Sequence, residues 1–176
     1  MTPTAITFEI PRVNSLCRHP FRVILRCGWF LFEVARAVFN YFFTTAFAPK
    51  NSKLAARAAW LQRASQCHLI RVGVSVEVSG PIPQSGLLVS NHLSYLDILA
   101  IAAITPAVFV SKADVRRWPL FGWLASLAGT IFVERERRTH VGEVNREIQN
   151  ALHANVIVVV FPDSTRSKIG RASCRE

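Results

Sequence analysis

The chain has 176 residues, 51% of them hydrophobic, and carries 21 Lys plus Arg against 11 Asp plus Glu, a formal charge of +10. That length allows one domain with a real core and room for an appendage, and a mean hydropathy of +0.27 is high for a freely soluble protein of this size. A basic, apolar chain suits anionic membrane surfaces or phosphate-bearing substrates. It argues against a nucleic-acid partner, because the cations are not interleaved with a recognisable nucleic-acid module.

Residues 1–19 show no basic start leading into an apolar core and a cleavage site, so no signal peptide is read there. From Phe21 to Phe47 the chain is dense in Phe, Leu, Val and Trp, interrupted by Arg22, Arg26, Glu33, Arg36 and Asn40. At 100° per residue these five fall within about 40° either side of one line. The pattern predicts a helix with a narrow polar stripe and a broad apolar face. It lacks the ~20 uninterrupted apolar residues of a spanning helix, so the expectation is a helix lying in the headgroup region. The bland alternative packs it on the domain with the stripe exposed. Ala48-Pro49 ends it, and a second helix is expected over about Lys53–Gln66.

Ile70–Ser79 alternates strictly, with Val72, Val74, Val76 and Val78 on one face, and predicts a half-buried strand closed by Gly80-Pro81. Strand-like runs follow near 86–90, 107–111, 130–134 and 155–161. Helix-like runs near 94–104, 119–127 and 139–153 separate them, the last with Thr139 as its N-cap. Single helices between strands favour right-handed crossovers. The expected fold is therefore α/β, a largely parallel sheet flanked by helices, carrying an N-terminal amphipathic membrane-surface element.

Polar residues fall where these strands end. His92 follows the first run and Ser111-Lys112 end the second. Glu134-Arg135 end the third, and Asp163-Ser164-Thr165-Arg166 follow the fourth. In a parallel sheet the carboxyl ends of the strands form the binding edge. His92 and Asp97, five residues apart at a turn into a helix, are the equipment of general-base catalysis: the carboxylate holds the ring and stabilises the imidazolium. Ser94-x-x-Asp97 reads equally as a capping box. The remaining histidines, His19, His68, His140 and His153, lack ligand spacing, so no metal site is expected. Cys17, Cys27, Cys67 and Cys174 show neither metal nor disulfide spacing and are read as reduced thiols.

Asn91-His92-Leu93-Ser94-Tyr95-Leu96-Asp97 resembles the first block of the glycerolipid His-x4-Asp acyltransferases, which include the 1-acylglycerol-3-phosphate (lysophosphatidate) acyltransferases. Gly129-Thr130-Ile131-Phe132-Val133-Glu134-Arg135 resembles their second block. Phe161-Pro162-Asp163-Ser164-Thr165-Arg166 is similar to the third, usually Phe-Pro-Glu-Gly-Thr-Arg, with Asp-Ser in place of Glu-Gly. Phe109-Val110-Ser111-Lys112 and Trp118-Pro119-Leu120-Phe121-Gly122 look like stretches common between blocks one and two. The resemblance spans about residues 70–167, and no fourth block is found.

The resemblance implies acyl transfer from a thioester, acyl-carrier protein or coenzyme A, to the hydroxyl of a lysophospholipid, with no bound cofactor. His92 and Asp97 would be catalytic. Arg135 would clamp the acceptor phosphate, with Lys112 and Arg166 as further cations. Gly129, Phe132, Phe161, Pro162, Asp163, Ser164 and Thr165 complete the expected substrate-binding set. An acceptor such as a lyso-ornithine lipid is the main alternative, and a non-catalytic basic membrane-surface protein the other. The implied location is the cytoplasmic face of the cell membrane, with membrane lipids as partners.

The expected organisation is a helical membrane-association region over 1–67, an acyltransferase domain over 68–167, and a non-native scar over 168–176. Ile169-Gly-Arg-Ala-Ser-Cys-Arg-Glu176, back-translated, resembles a common sequencing adapter read in frame. The natural protein is accordingly expected to continue past Ser167 with a different sequence.

Overall fold

The computed structural model describes residues 5–9, 20–49, 52–92, 94–134 and 141–162. The elements run β1 (Ala5–Glu9), α1 (Pro20–Ala46), α2 (Lys53–Val72), β2 (Ser75–Ser79), β3 (Leu87–Val89), α3 (Tyr95–Ile104), β4 (Ala107–Lys112), α4 (Phe121–Ala128), β5 (Ile131–Val133), α5 (Val141–His153) and β6 (Ile157–Val160). A 3₁₀ turn, Ala113–Arg117, leads from β4 towards α4.

Four strands form one sheet in the order β3-β6-β4-β5, and every pairing in it is parallel. The expected α/β fold is thus present, with α3, α4 and α5 as the connections. In the two central strands residues of both parities are buried, Ala107, Val108 and Phe109 beside Ile157, Val158 and Val159. Side chains alternate across a sheet, so both faces are covered, which is why these strands read as continuous apolar runs. One core cluster joins Ala107, Phe109, Ile157 and Val159 to Ile101 and Ala102 of α3 and Leu61 of α2. The other joins Val108, Ile131 and Val156 to Ala58 of α2 and to Val144 and Ile148 of α5. On the edge strand β3 only Leu88 packs against the core; Leu87 and Val89 are exposed.

The expected strand over Ile70–Ser79 is shorter. Helix α2 continues past the expected Gln66 to Val72, because Ala58, Ser65 and Leu69 keep one buried face at helical spacing. Gly73 then closes it with φ 74°, a left-handed conformation that glycine adopts without a Cβ clash. The alternation holds from Val74 through β2: Val74 is buried, Val76 and Val78 are half-buried, and Ser75, Glu77 and Ser79 are exposed. β2 stands outside the main sheet, paired antiparallel with β1, an element the sequence did not suggest.

Helix α1 matches the expected span within a residue, and its polar stripe turns inward at Glu33. That carboxylate is only 8% exposed. It lies 2.8 Å from Arg36 and 3.0 Å from Arg71 of α2. Its Oε1 makes no well-angled hydrogen bond, yet Arg71 stands beside it as counter-charge. The Arg36 hydrogen bond, together with the charges of Arg36 and Arg71, holds its carboxyl below the ordinary carboxylate range against the opposing effect of burial. Around it Trp60 donates to Ala37 O at 2.7 Å, and Phe30 meets His68 edge-on at 5.7 Å. The other side of α1 exposes Phe21, Ile24, Phe32, Phe39 and Phe43. Among the described side chains of the stripe only Glu33 departs from the bland alternative, in which the stripe faces outward; Arg26, Arg36 and Asn40 are exposed. Among the described residues no helix is long and apolar enough to cross a membrane.

Of the expectations above, Thr139, Arg135, residues 163–166 and the segment 168–176 lie outside the described residues.

Candidate active site

The turn between β3 and α3 carries the site. Strand β3 ends at Val89, and Ser90 N–H still donates to Val160 O of β6 at 3.2 Å. Two residues on comes His92, then the N-cap Ser94, whose hydroxyl accepts the Leu96 N–H at 3.2 Å. Asp97, the third residue of α3, reaches back so that its Oδ2 accepts the Ser94 N–H at 2.8 Å. This is a full capping box.

The same Oδ2 lies 3.4 Å from His92 Nδ1. The two sequence readings of Asp97, cap and ring-holder, therefore describe one oxygen. Capping fixes the carboxylate before the histidine uses it. Nδ1 is buried and makes no hydrogen bond of good geometry among the described residues. The 3.4 Å contact is an ion-pair distance with a poor angle, and catalytic hydrogen bonds are often long before substrate binds. A proton on Nδ1 shared with Asp97 when substrate tightens the contact would leave the lone pair on Nε2. The His92 side chain is 25% exposed and that of Asp97 10%, so the base is reachable while its partner is shielded.

Aromatic rings hold the imidazole from other sides. Phe161, first residue of the third block, stacks on it at 4.5 Å and 29°, and in turn stacks on Phe109 at 6.1 Å. Tyr95 stands edge-on at 6.3 Å. Blocks one and three thus meet at the carboxyl ends of neighbouring strands β3 and β6. Neither Phe109 nor Tyr95 was singled out from the sequence; the signal available was their place inside the recurring stretches around the blocks.

The other expected residues divide. Lys112 ends β4 on the same edge of the sheet and is half-buried, and Pro162 follows Phe161 there, exposed. Gly129 sits at the opposite end, before β5. Its φ of 85° closes α4, and a Cβ there would come within 3.1 Å of Leu54 Cδ1. Its surroundings are those of a tight turn, away from the carboxyl ends of the strands that carry His92. Arg57 of α2 donates beside it to Leu127 O at 2.7 Å and to Ser126 O. Arg57 therefore fixes the entry into the second block, a role its place among alanines did not reveal. Phe132 lines a separate cleft of about 250 Å³ with Arg116, Ser126, Thr130 and Glu147, which does not include His92. Arg116 stands over its ring at 5.8 Å.

Known proteins can be set beside this geometry. The family model described as Acyltransferase matches residues 74–175. The lyso-ornithine lipid O-acyltransferase of Rhizobium meliloti (strain 1021) is 41% identical over 98 residues, covering 54% of this chain and 34% of that protein. The 1-acyl-sn-glycerol-3-phosphate acyltransferase of Neisseria gonorrhoeae is 34% identical over 102 residues, 56% of this chain and 40% of that protein. Its counterpart in Helicobacter pylori (strain J99) is 31% identical over 136 residues, 76% of this chain and 54% of that protein. The chain thus spans between about a third and about half the length of these relatives. No solved structure matches it significantly. The matched region contains the β3–α3 turn with His92 and Asp97, and the chain belongs to the acyltransferase family.

Proposed function

We propose that the protein moves a fatty acyl group from a thioester to the hydroxyl of a lysolipid. The observation that carries this reading is His92 Nδ1 3.4 Å from an Asp97 oxygen already held by the Ser94 N–H. A base fixed in this way acts through Nε2. It takes the proton of the acceptor hydroxyl as that oxygen attacks the thioester carbonyl. Asp97 stabilises the imidazolium so formed. The tetrahedral intermediate collapses with cleavage of the C–S bond, and the departing thiolate recovers the proton from Nε2. No step requires a nucleophile from the protein, and the Ser94 hydroxyl is occupied by the Leu96 N–H.

The first acceptor in this reading is 1-acylglycerol-3-phosphate, giving phosphatidic acid. Lys112 on the His92 edge, with Arg135 and Arg166 from blocks two and three, supplies cations for the phosphate. The second reading, a lyso-ornithine lipid, is favoured by the higher identity to proteins named for that acceptor. The donor is acyl-carrier protein or coenzyme A thioester, and no further cofactor is needed. The exposed apolar face of α1 rests on the membrane that holds the acceptor, which we place at the cytoplasmic face.

The test is incubation of the protein with a labelled acyl thioester and each lysolipid in turn. Labelled phosphatidic acid supports the first reading and labelled ornithine lipid the second. Absence of product from both, with the fold intact, rejects acyl transfer and leaves a basic membrane-surface protein.

A further inference from the structure

A second apolar surface, separate from α1, borders the catalytic turn. Tyr95, Trp118 and Phe121 are 66%, 42% and 58% exposed. Tyr95 and Trp118 meet edge-on at 6.0 Å, and Tyr95 is itself the edge-on neighbour of His92. Phe121 begins α4, three residues beyond Trp118. The 3₁₀ turn immediately before Trp118 ends in Arg116 and Arg117, both exposed. Lys112 precedes that turn, and Asp114 is its one acidic residue.

We propose that Tyr95, Trp118 and Phe121, flanked by Arg117, form a docking rim that seats the mouth of the active site on an anionic lipid bilayer. Rings with an apolar body and a polar tip settle at the headgroup level. Arginine beside them is complementary to anionic headgroups and repels cationic partners. The contact brings His92 against the surface from which a lysolipid hydroxyl must be drawn. Membrane binding through α1 alone would tether the domain without orienting it. The purpose of the rim rests on the acyltransferase reading, but its existence does not, and its partitioning and quenching tests involve no turnover.

The experiment measures partitioning of the inactive His92→Ala chain onto vesicles of phosphatidylglycerol and phosphatidylcholine. In that background Trp118→Ser/Phe121→Ser is expected to lower the partition coefficient by about tenfold or more. Arg117→Gln is expected to lower it roughly fivefold on anionic vesicles, and hardly at all on pure phosphatidylcholine. Because a double variant can lose its fold, Trp118→Phe supplies a milder check. Acyl-chain-brominated lipids should quench the intrinsic fluorescence of the parent more than that of Trp118→Phe. Unchanged partitioning and unchanged quenching would overturn the rim. So would a vesicle-free, concentration-dependent self-association abolished by the double variant, which would mark the patch as a contact with a second copy. A third contrary result is normal vesicle binding with a raised acceptor KM in the active chain, which would make the rings a seat for the bound acyl chain.

Discussion

Replacing Asp97 by Asn isolates the charge of the ring-holder from its shape. The amide oxygen can occupy the Oδ2 position, accept the Ser94 N–H at 2.8 Å and remain 3.4 Å from His92 Nδ1. What disappears is the negative charge facing the imidazolium of the transition state. Two unit charges 3.4 Å apart interact by about 5 kcal/mol at an effective dielectric of about 20, and by about 1.2 kcal/mol in bulk water. With Asp97 mostly shielded and His92 a quarter exposed, the loss should lie between these limits, about 3–4 kcal/mol. That corresponds to a fall in kcat of on the order of 10²–10³. Helix α3 also loses a first-turn carboxylate, worth only about 0.3–1 kcal/mol. The assay is initial-rate transfer of labelled acyl groups, paired with thermal unfolding. The expected result is a collapsed kcat, a nearly constant acceptor KM and a Tm within a few degrees of the parent. A kcat within threefold of the parent would show that the 3.4 Å contact is incidental and Asp97 merely a cap.

Arg57→Ala withdraws donors from the Ser126 and Leu127 carbonyls at the end of α4, at a cost of about 1–3 kcal/mol. Tm should fall by on the order of 3–10 °C, and an unchanged Tm would remove Arg57 as the support of block two. The α1–α2 junction should weaken in two steps on acidification. Burial depresses the His68 pKa, so its contribution is present above the ordinary histidine value and fades as pH falls below about 6.5. The Glu33 carboxyl is likewise depressed by Arg36 and Arg71; its contribution persists to lower pH and is lost as pH falls through its folded-state pKa. Stability followed against pH should lose the first step in His68→Phe and the second in Glu33→Gln, and retention of both steps would discard this assignment. Serine at Phe32, Phe39 and Phe43, all on the exposed side of α1, should lower partitioning onto anionic vesicles by about tenfold or more, whereas unchanged partitioning would remove α1 as a membrane contact. Phe30, although part of the same aromatic run, meets His68 of α2, and its loss should act on stability instead.

Much of the site was legible because strand ends follow directly from where apolar runs stop. The runs ending at Ser90 and Phe161 placed His92 and the third block on one edge, and the stacking of the two rings at 4.5 Å agrees. The parallel sheet was legible because a single helix-like run separates each strand-like run from the next. Other features were hidden by coincidence of pattern. Val72 fits the valine alternation of β2 yet belongs to α2, because the deciding signal was the single glycine at 73. Glu33 looked like one more polar residue on a stripe, and only the arrival of Arg71 from another helix explains its burial. Gly129 belongs to the same block as Val133, yet it precedes β5 while Val133 ends that strand. Sequence proximity within a block does not by itself put residues on the same edge.

The central claim is that His92 is the base. In His92→Ala the Asp97 carboxylate keeps its capping bond to Ser94, so the fold should survive and serve as its own control. Thioester-dependent acylation of a lysolipid by the folded variant should fall by on the order of 10²–10⁴, with vesicle binding retained. Turnover close to that of the parent would contradict the account.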